Sequence, residues 1–127
     1  MIFTKTLKFI SHNPAVQLMD ITPKVEKALK ASHIKTGQVL VFSRHTTAAV
    51  ILQEDEKGLR KDLHNLLHKL APIDGDYHHT NSAGHKIDKM PNGHSHCQHV
   101  LLGSSEIIPL ASGKLMLGIY QKIFLVE

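Results

Sequence analysis

The sequence predicts an α+β fold with a mostly antiparallel sheet and two or three helices in a single domain spanning 1–127. Three observations predict it. Short apolar segments of period two stand at both ends of the chain. A leucine stripe of helical spacing lies between them, and the length suits one core. Near the N-terminus, Phe3, Leu7 and Phe9 face one way and Thr4, Thr6 and Lys8 the other, the pattern of a strand with one buried face. A helix follows, with Thr22 able to cap it, Pro23 in its first turn, and Ile21, Val25, Ala28 and Leu29 as its apolar stripe. Gly37 suits the reversal after it. Gln38 to Ser43 is a short apolar strand, and His45 to Leu52 is another or its continuation past a bend.

Leu59, Leu63, Leu66, Leu67 and Leu70 recur at spacings of three and four, and Pro72 ends this second helix. Glu54, Asp55 and Glu56 open it. Residues 72–95 are rich in Asp, Gly, Asn and His and read as a long loop, of the kind usually kept for function. His96 to Leu102 is a short helix ended by Gly103, or a strand. Residues 105–110 and 114–126 read as two strands joined by Ala111-Ser112-Gly113. The last carries apolar residues on both parities, interrupted by Gln121, so both its faces are expected to be covered by a helix or another subunit.

Composition excludes several function classes. Hydrophobic residues make up 42% and charged residues 20% of the 127, as in a globular protein. No apolar run approaches the roughly 18 residues that span a bilayer, and the N-terminus lacks a signal pattern, so no membrane partner and a cytoplasmic location are expected. One Cys rules out an intrachain disulfide and a thiolate-only metal site. The net charge of +4 comes mostly from Lys, with only Arg44 and Arg60 as arginines and no Trp, which argues against nucleic acid as a partner.

The unusual count is 11 His, six of which (His78, His79, His85, His94, His96 and His99) lie between 78 and 99. Neutral imidazole is the commonest protein metal ligand, and with a thiolate site excluded the natural further ligands are Glu54, Asp55, Glu56 and Asp62. Asp55, Leu59, Asp62 and Leu66 fall on one helical line, so Asp62 is expected at the edge of the apolar stripe and in need of a partner. His64 and His68 have metal-binding i, i+4 spacing but lie off the leucine face and read as solvated. His12 and His33 read as structural or exposed. Cys97 reads as a small buried residue.

These residues resemble a known family. Ser105-Glu106-Ile107-Ile108-Pro109, Gly113 and Leu117-Gly118-Ile119-Tyr120-Gln121 look like the C-terminal signature of the YjbQ family, whose members are described as secondary thiamine-phosphate synthases. His45-Thr46-Thr47-Ala48, Gln53-Glu54, Asp62, Pro72, Tyr77-His78-His79 and Asn92 with His96 match further elements of that family in order. The resemblance implies a sheet curling towards a barrel or sandwich and a homotrimer. It selects His45, His79 and His96 from the histidines and sets them with Glu54 and Asp62 in a polar cluster consistent with a divalent metal, Zn or Mg. Thr46, Asn92 and Gln121 join it as further site candidates, and His78 and His94 as supporting groups. Two departures stand out. Ile119-Tyr120 replaces the family's Thr-Trp. The family pattern also runs on into an Arg-containing segment, so a chain ending at Glu127 is expected to be truncated and to lack a basic substrate contact.

Thiamine-phosphate synthesis joins a pyrimidine methyl pyrophosphate to a thiazole phosphate, and its leaving group needs charge stabilisation. Arg44, beside His45, is the best phosphate contact. In this reading His45, His79 and His96 are metal ligands and Glu54 or Asp62 is ligand, orienter or base. The same residues suit a metal-dependent hydrolase of phosphate esters, and a non-catalytic trimer that binds a metal or small ligand is the third alternative.

Overall fold

The computed structural model describes residues 1–11, 16–82 and 90–127. His12 and His85 lie outside the described residues, as does part of the segment read as a long loop. The strands and helices in chain order are β1 (Leu18–Asp20), α1 (Thr22–Ser32), β2 (Gly37–Phe42), β3 (Ala49–Glu54), α2 (Lys57–Leu70), α3 (His78–Asn81), α4 (Gly93–Leu102), β4 (Ser105–Ala111), β5 (Lys114–Leu115) and β6 (Gln121–Val126). The described strands form two antiparallel three-stranded sheets, ordered β1-β6-β3 and β2-β4-β5. This is the expected α+β class in open, two-sheet form, with four helices among the described residues where two or three were expected.

β6 is the central strand of its sheet, with Phe124 opposite both Asp20 and Ile51. Its neighbours Ile123 and Phe124 point to opposite faces, yet both are fully buried. Ile123 joins Ile21, Val25, Val50 and Ile108, while Phe124 joins Ala49 and Val126. The expected burial on both faces is therefore present over this stretch. The single long strand is not. Gly118 and Gln121 close a turn through Gln121 N–H to Gly118 O at 3.0 Å, and Gln121 Oε1 accepts from Gly118 N–H at 2.7 Å. That turn splits the run into β5 and β6 and leaves Ile119 and Tyr120 exposed at its tip. The residue that interrupted the alternation is the one that folds the turn. Between β4 and β5, Ser112 and Gly113 have φ of 50° and 74°, the left-handed pair that a tight hairpin requires.

Three other local expectations change. Thr22 does not cap α1: Asp20 Oδ1 accepts from Thr22 N–H at 2.9 Å, and Thr22 Oγ1 accepts from Ile123 N–H at 2.8 Å, tying the helix to the sheet. Glu56 caps α2, its two carboxylate oxygens accepting from Gly58 and Leu59 N–H at 2.7 and 2.8 Å. These bonds hold its carboxyl below the usual range. Residues 1–11 form no strand. Leu7 and Phe9 instead pack by their side chains against the core, with the Lys24 ammonium 4.1 Å from the Phe9 ring centroid. Of the leucine stripe on α2 only Leu67 is buried, and Leu66 and Leu70 remain exposed. Among the described residues no helix is long and apolar enough to cross a membrane.

Candidate functional site

The segment read as a loop contains α3 and the start of α4, and Tyr77 holds them together. Its hydroxyl donates to Pro72 O at 2.7 Å. Gly93, buried at the start of α4, sits so close that a Cβ there would lie 2.5 Å from Tyr77 Cβ and 2.7 Å from its Cγ. Gly93 N–H donates to Thr80 Oγ1 at 3.2 Å. Burial pushes the Tyr77 phenol above its ordinary pKa. The absence of a side chain at Gly93 is thus what lets α4 close on α3.

That closure brings His79 and His96 together, with ring centroids 4.6 Å apart and planes 76° apart. Two imidazoles that ligate one Zn at roughly 2.0–2.1 Å would have centroids about 4.5–5.2 Å apart, for ligand angles between a right angle and the tetrahedral one. The spacing fits a shared cation, and imidazole is a suitable donor. The count of donors does not complete the set: among the described residues no group of three or more His, Cys, Asp or Glu side chains is arranged to hold a metal.

The other sequence-predicted residues are distributed as follows. Arg44, His45 and Thr46 form an exposed connection between β2 and β3, where His45 N–H donates to Ser43 Oγ at 3.3 Å. Glu54 ends β3 opposite Gln121 of β6, so the sheet itself pairs these two candidates. Gln121 spends its side-chain oxygen on the local turn. Asn92 occupies the cap position of α4 and accepts from His96 N–H through its carbonyl at 3.2 Å. Asp62 is exposed rather than half-sunk at an apolar edge, so water solvates its carboxylate and the expected need for a partner disappears. Cys97 is exposed, not buried, because it lies on the outer side of α4.

Two further histidines of α4 are held in place. His94 is only 7% exposed, and its Nδ1 has no hydrogen-bond partner while Nε2 lies 3.2 Å from Ser95 Oγ. Burial pushes its imidazole below the ordinary pKa, so it is neutral at pH 7. It lines a small cavity with Thr47, Gln98 and His99. His99 is held to Ser104 Oγ at 2.9 Å. The helix expected as one alternative over His96–Leu102 is present and holds His99, but it starts earlier, at Gly93, and so takes in His94 from the segment read as a loop. His64 and His68 are exposed on α2 as expected, with rings nearly parallel at 6.5 Å.

A model of the family described as UPF0047 protein YjbQ-like matches residues 5–127. The chain belongs to the YjbQ/UPF0047 family. A UPF0047 protein of Methanothermobacter thermautotrophicus is 39% identical over 112 residues, covering 88% of this chain and 73% of the relative. One from Archaeoglobus fulgidus is 37% identical over 112 residues, covering 88% of this chain and 81% of the relative. A solved YbjQ-like protein of unknown function from Sulfolobus solfataricus P2 superimposes with a TM-score of 0.82 at 35% identity, covering 93% of this chain and 80% of that one. A hypothetical protein from Aeropyrum pernix K1 gives 0.82 at 31% identity, covering 93% and 83%. The resemblance carried by the ordered motifs is thus a family membership, and the YjbQ fold is the fold of this chain.

Proposed function

We propose that this YjbQ-family chain is a metal-assisted enzyme acting on a small phosphorylated substrate, with the thiamine-phosphate synthase-type transfer that the resemblance implies. The observation that carries the reading is the His79–His96 pair at 4.6 Å. Two nitrogen donors favour Zn over Mg, which prefers oxygen ligands. His79 and His96 would hold the cation, and His45 with Glu54 or Asp62 of a neighbouring subunit would complete its ligands or serve as orienter and base, since within one chain these described residues do not gather with the pair. A cation held there supplies charge stabilisation for a phosphorylated leaving group. Arg44 would contact phosphate, and Thr46, Asn92 and Gln121 would line the approach.

A homotrimer is part of this reading and would bring in donors beyond the pair found among the described residues. Leu40 and Ile107 are cross-strand partners, 60% and 58% exposed, and Phe42 on the same face of β2 is 60% exposed. Apolar side chains grouped in this way favour cover by another subunit. The protein works in the cytoplasm in this reading, its lone Cys needing no oxidising compartment.

A hydrolytic variant of the same site is favoured by one observation. Arg60 is fixed beside β1 by bonds to Asp55 Oδ1 and Leu18 O, each at 2.6 Å, and lines a different cleft, so Arg44 is the guanidinium this reading assigns to a pyrophosphate leaving group. An activated water makes a smaller demand on cationic side chains than pyrophosphate departure. Product formation from the pyrimidine pyrophosphate and thiazole phosphate, set beside hydrolysis of a panel of phosphate esters, separates the two. His79→Ala and His96→Ala should each lower whichever activity is found by roughly 100-fold or more and reduce bound Zn in step. Full activity and metal content in both variants would remove the site.

A further inference from the structure

We infer that a second cleft, between β1 and α2, binds a small anion carrying an apolar body. The cleft is open, about 360 Å³, and is lined by Val16, Leu18, Arg60, Lys61, His64 and Asn65. Two of its sides differ in chemistry. Val16 and Leu18 offer aliphatic surface. The helix offers a guanidinium, an ammonium, an imidazole and a carboxamide, and no carboxylate stands among the described lining residues. Its size falls in the range of ligand pockets, and its polar groups converge from a single rigid helix.

Arg60 is the fixed point. Its Nε donates to Asp55 Oδ1 and its Nη1 to Leu18 O, each at 2.6 Å, and its guanidinium carbon stands 5.0 Å from the Phe124 ring centroid. Three contacts hold the guanidinium in place while Nη2, with two N–H donors, lies outside both bonds. A donor already ordered loses little further freedom when an anion arrives. Asp55 and, at longer range, Asp20 offset the Arg60 charge, while Lys61 lines the cleft and Lys122 acts on Asp55, so these five side chains sum to a single positive charge. Lys61 and His64 are both exposed, one position and one turn further along α2, and can close on the anion from its open side. A phosphate or carboxylate head at the helix and a flat or aliphatic body over Val16 and Leu18 match this layout. None of these groups belongs to the His79–His96 pair, so the inference stands apart from the reading of that pair.

The test uses phenyl phosphate, inorganic phosphate and benzyl alcohol as probes of the full chain, followed by amide chemical shifts at low ionic strength. Phenyl phosphate should shift Val16, Leu18, Lys61, His64 and Asn65 and bind more tightly than either other probe. Lys61→Ala should weaken it by up to about five-fold, Lys61→Ala with His64→Ala by more, and added salt should weaken it in wild type. His79→Ala should leave it unchanged. The inference is overturned if those amides do not move, if the double variant binds as wild type does, or if benzyl alcohol binds equally well, which would make the cleft apolar only.

Discussion

Phe124→Ala should lower unfolding stability by about 3–5 kcal/mol, read as a lower urea midpoint at unchanged slope. Phe124 is fully buried on the central strand of its sheet, against Ala49 and Val126, with Val16, Leu18, Ile51 and Leu102 packed around the same cluster. Truncation removes the ring's transfer free energy and leaves a cavity among side chains of three strands and α4, which relax only in part. Arg60 loses the ring on which its guanidinium rests. A domain of this size holds roughly 5–15 kcal/mol in all, so this one change removes a third or more of a typical value. A loss below about 1 kcal/mol would mean that the ring is not the packed centre of this face. Phe124→Leu, which refills most of the volume, should recover most of the loss.

Gly93→Ala should cost about 1–3 kcal/mol, although alanine is the better helix former. The new methyl would stand 2.5 Å from Tyr77 Cβ and 3.0 Å from Thr80 Oγ1. Neither is the free end of a long side chain, so α4 must shift away from α3. The His79–His96 pair spans that joint, and if the proposed Zn site is real its affinity should fall at least about ten-fold in protein that still folds. Gly118→Ala is the control, since its Cβ would meet nothing nearer than 3.4 Å and should leave both stability and Zn affinity as they are. Unchanged melting and unchanged Zn affinity in Gly93→Ala would show that the two helices are not held by this contact.

What could be read from the sequence was what periodicity encodes. The leucine spacing locates α2, Pro23 and its stripe locate α1, and the two-parity apolar run marks the doubly buried β6. The ordered motifs carry the family. What could not be read depends on side chains that bond locally. Gln121 looks like a break in an alternating strand and proves to be half of a turn. Thr22 has the composition of a cap and spends its hydroxyl on Ile123 of a distant strand. Residues 72–95 lack an apolar period because α3 is a single turn and α4 starts under Tyr77, held by a glycine contact rather than a stripe. Within the site, the motif matches picked three histidines, of which His79 and His96 meet while His45 forms no group of three with them. They did not indicate that Asp62 would be solvated or His94 buried, because both depend on how α2 and α4 are rotated in the fold.

The N-terminal segment carries a consequence of its own. Leu7 and Phe9 are seated against the core, and Lys24 rests over Phe9, while the backbone of residues 1–11 takes no part in a strand. Such a segment is fastened like a zip held at two teeth. Its amides should exchange with solvent orders of magnitude faster than those of β6, even while the Phe9 ring keeps a single, shielded environment. Backbone protection and side-chain packing will therefore report opposite answers for the same few residues, and a protease could trim the segment without first unfolding the sheets beneath it.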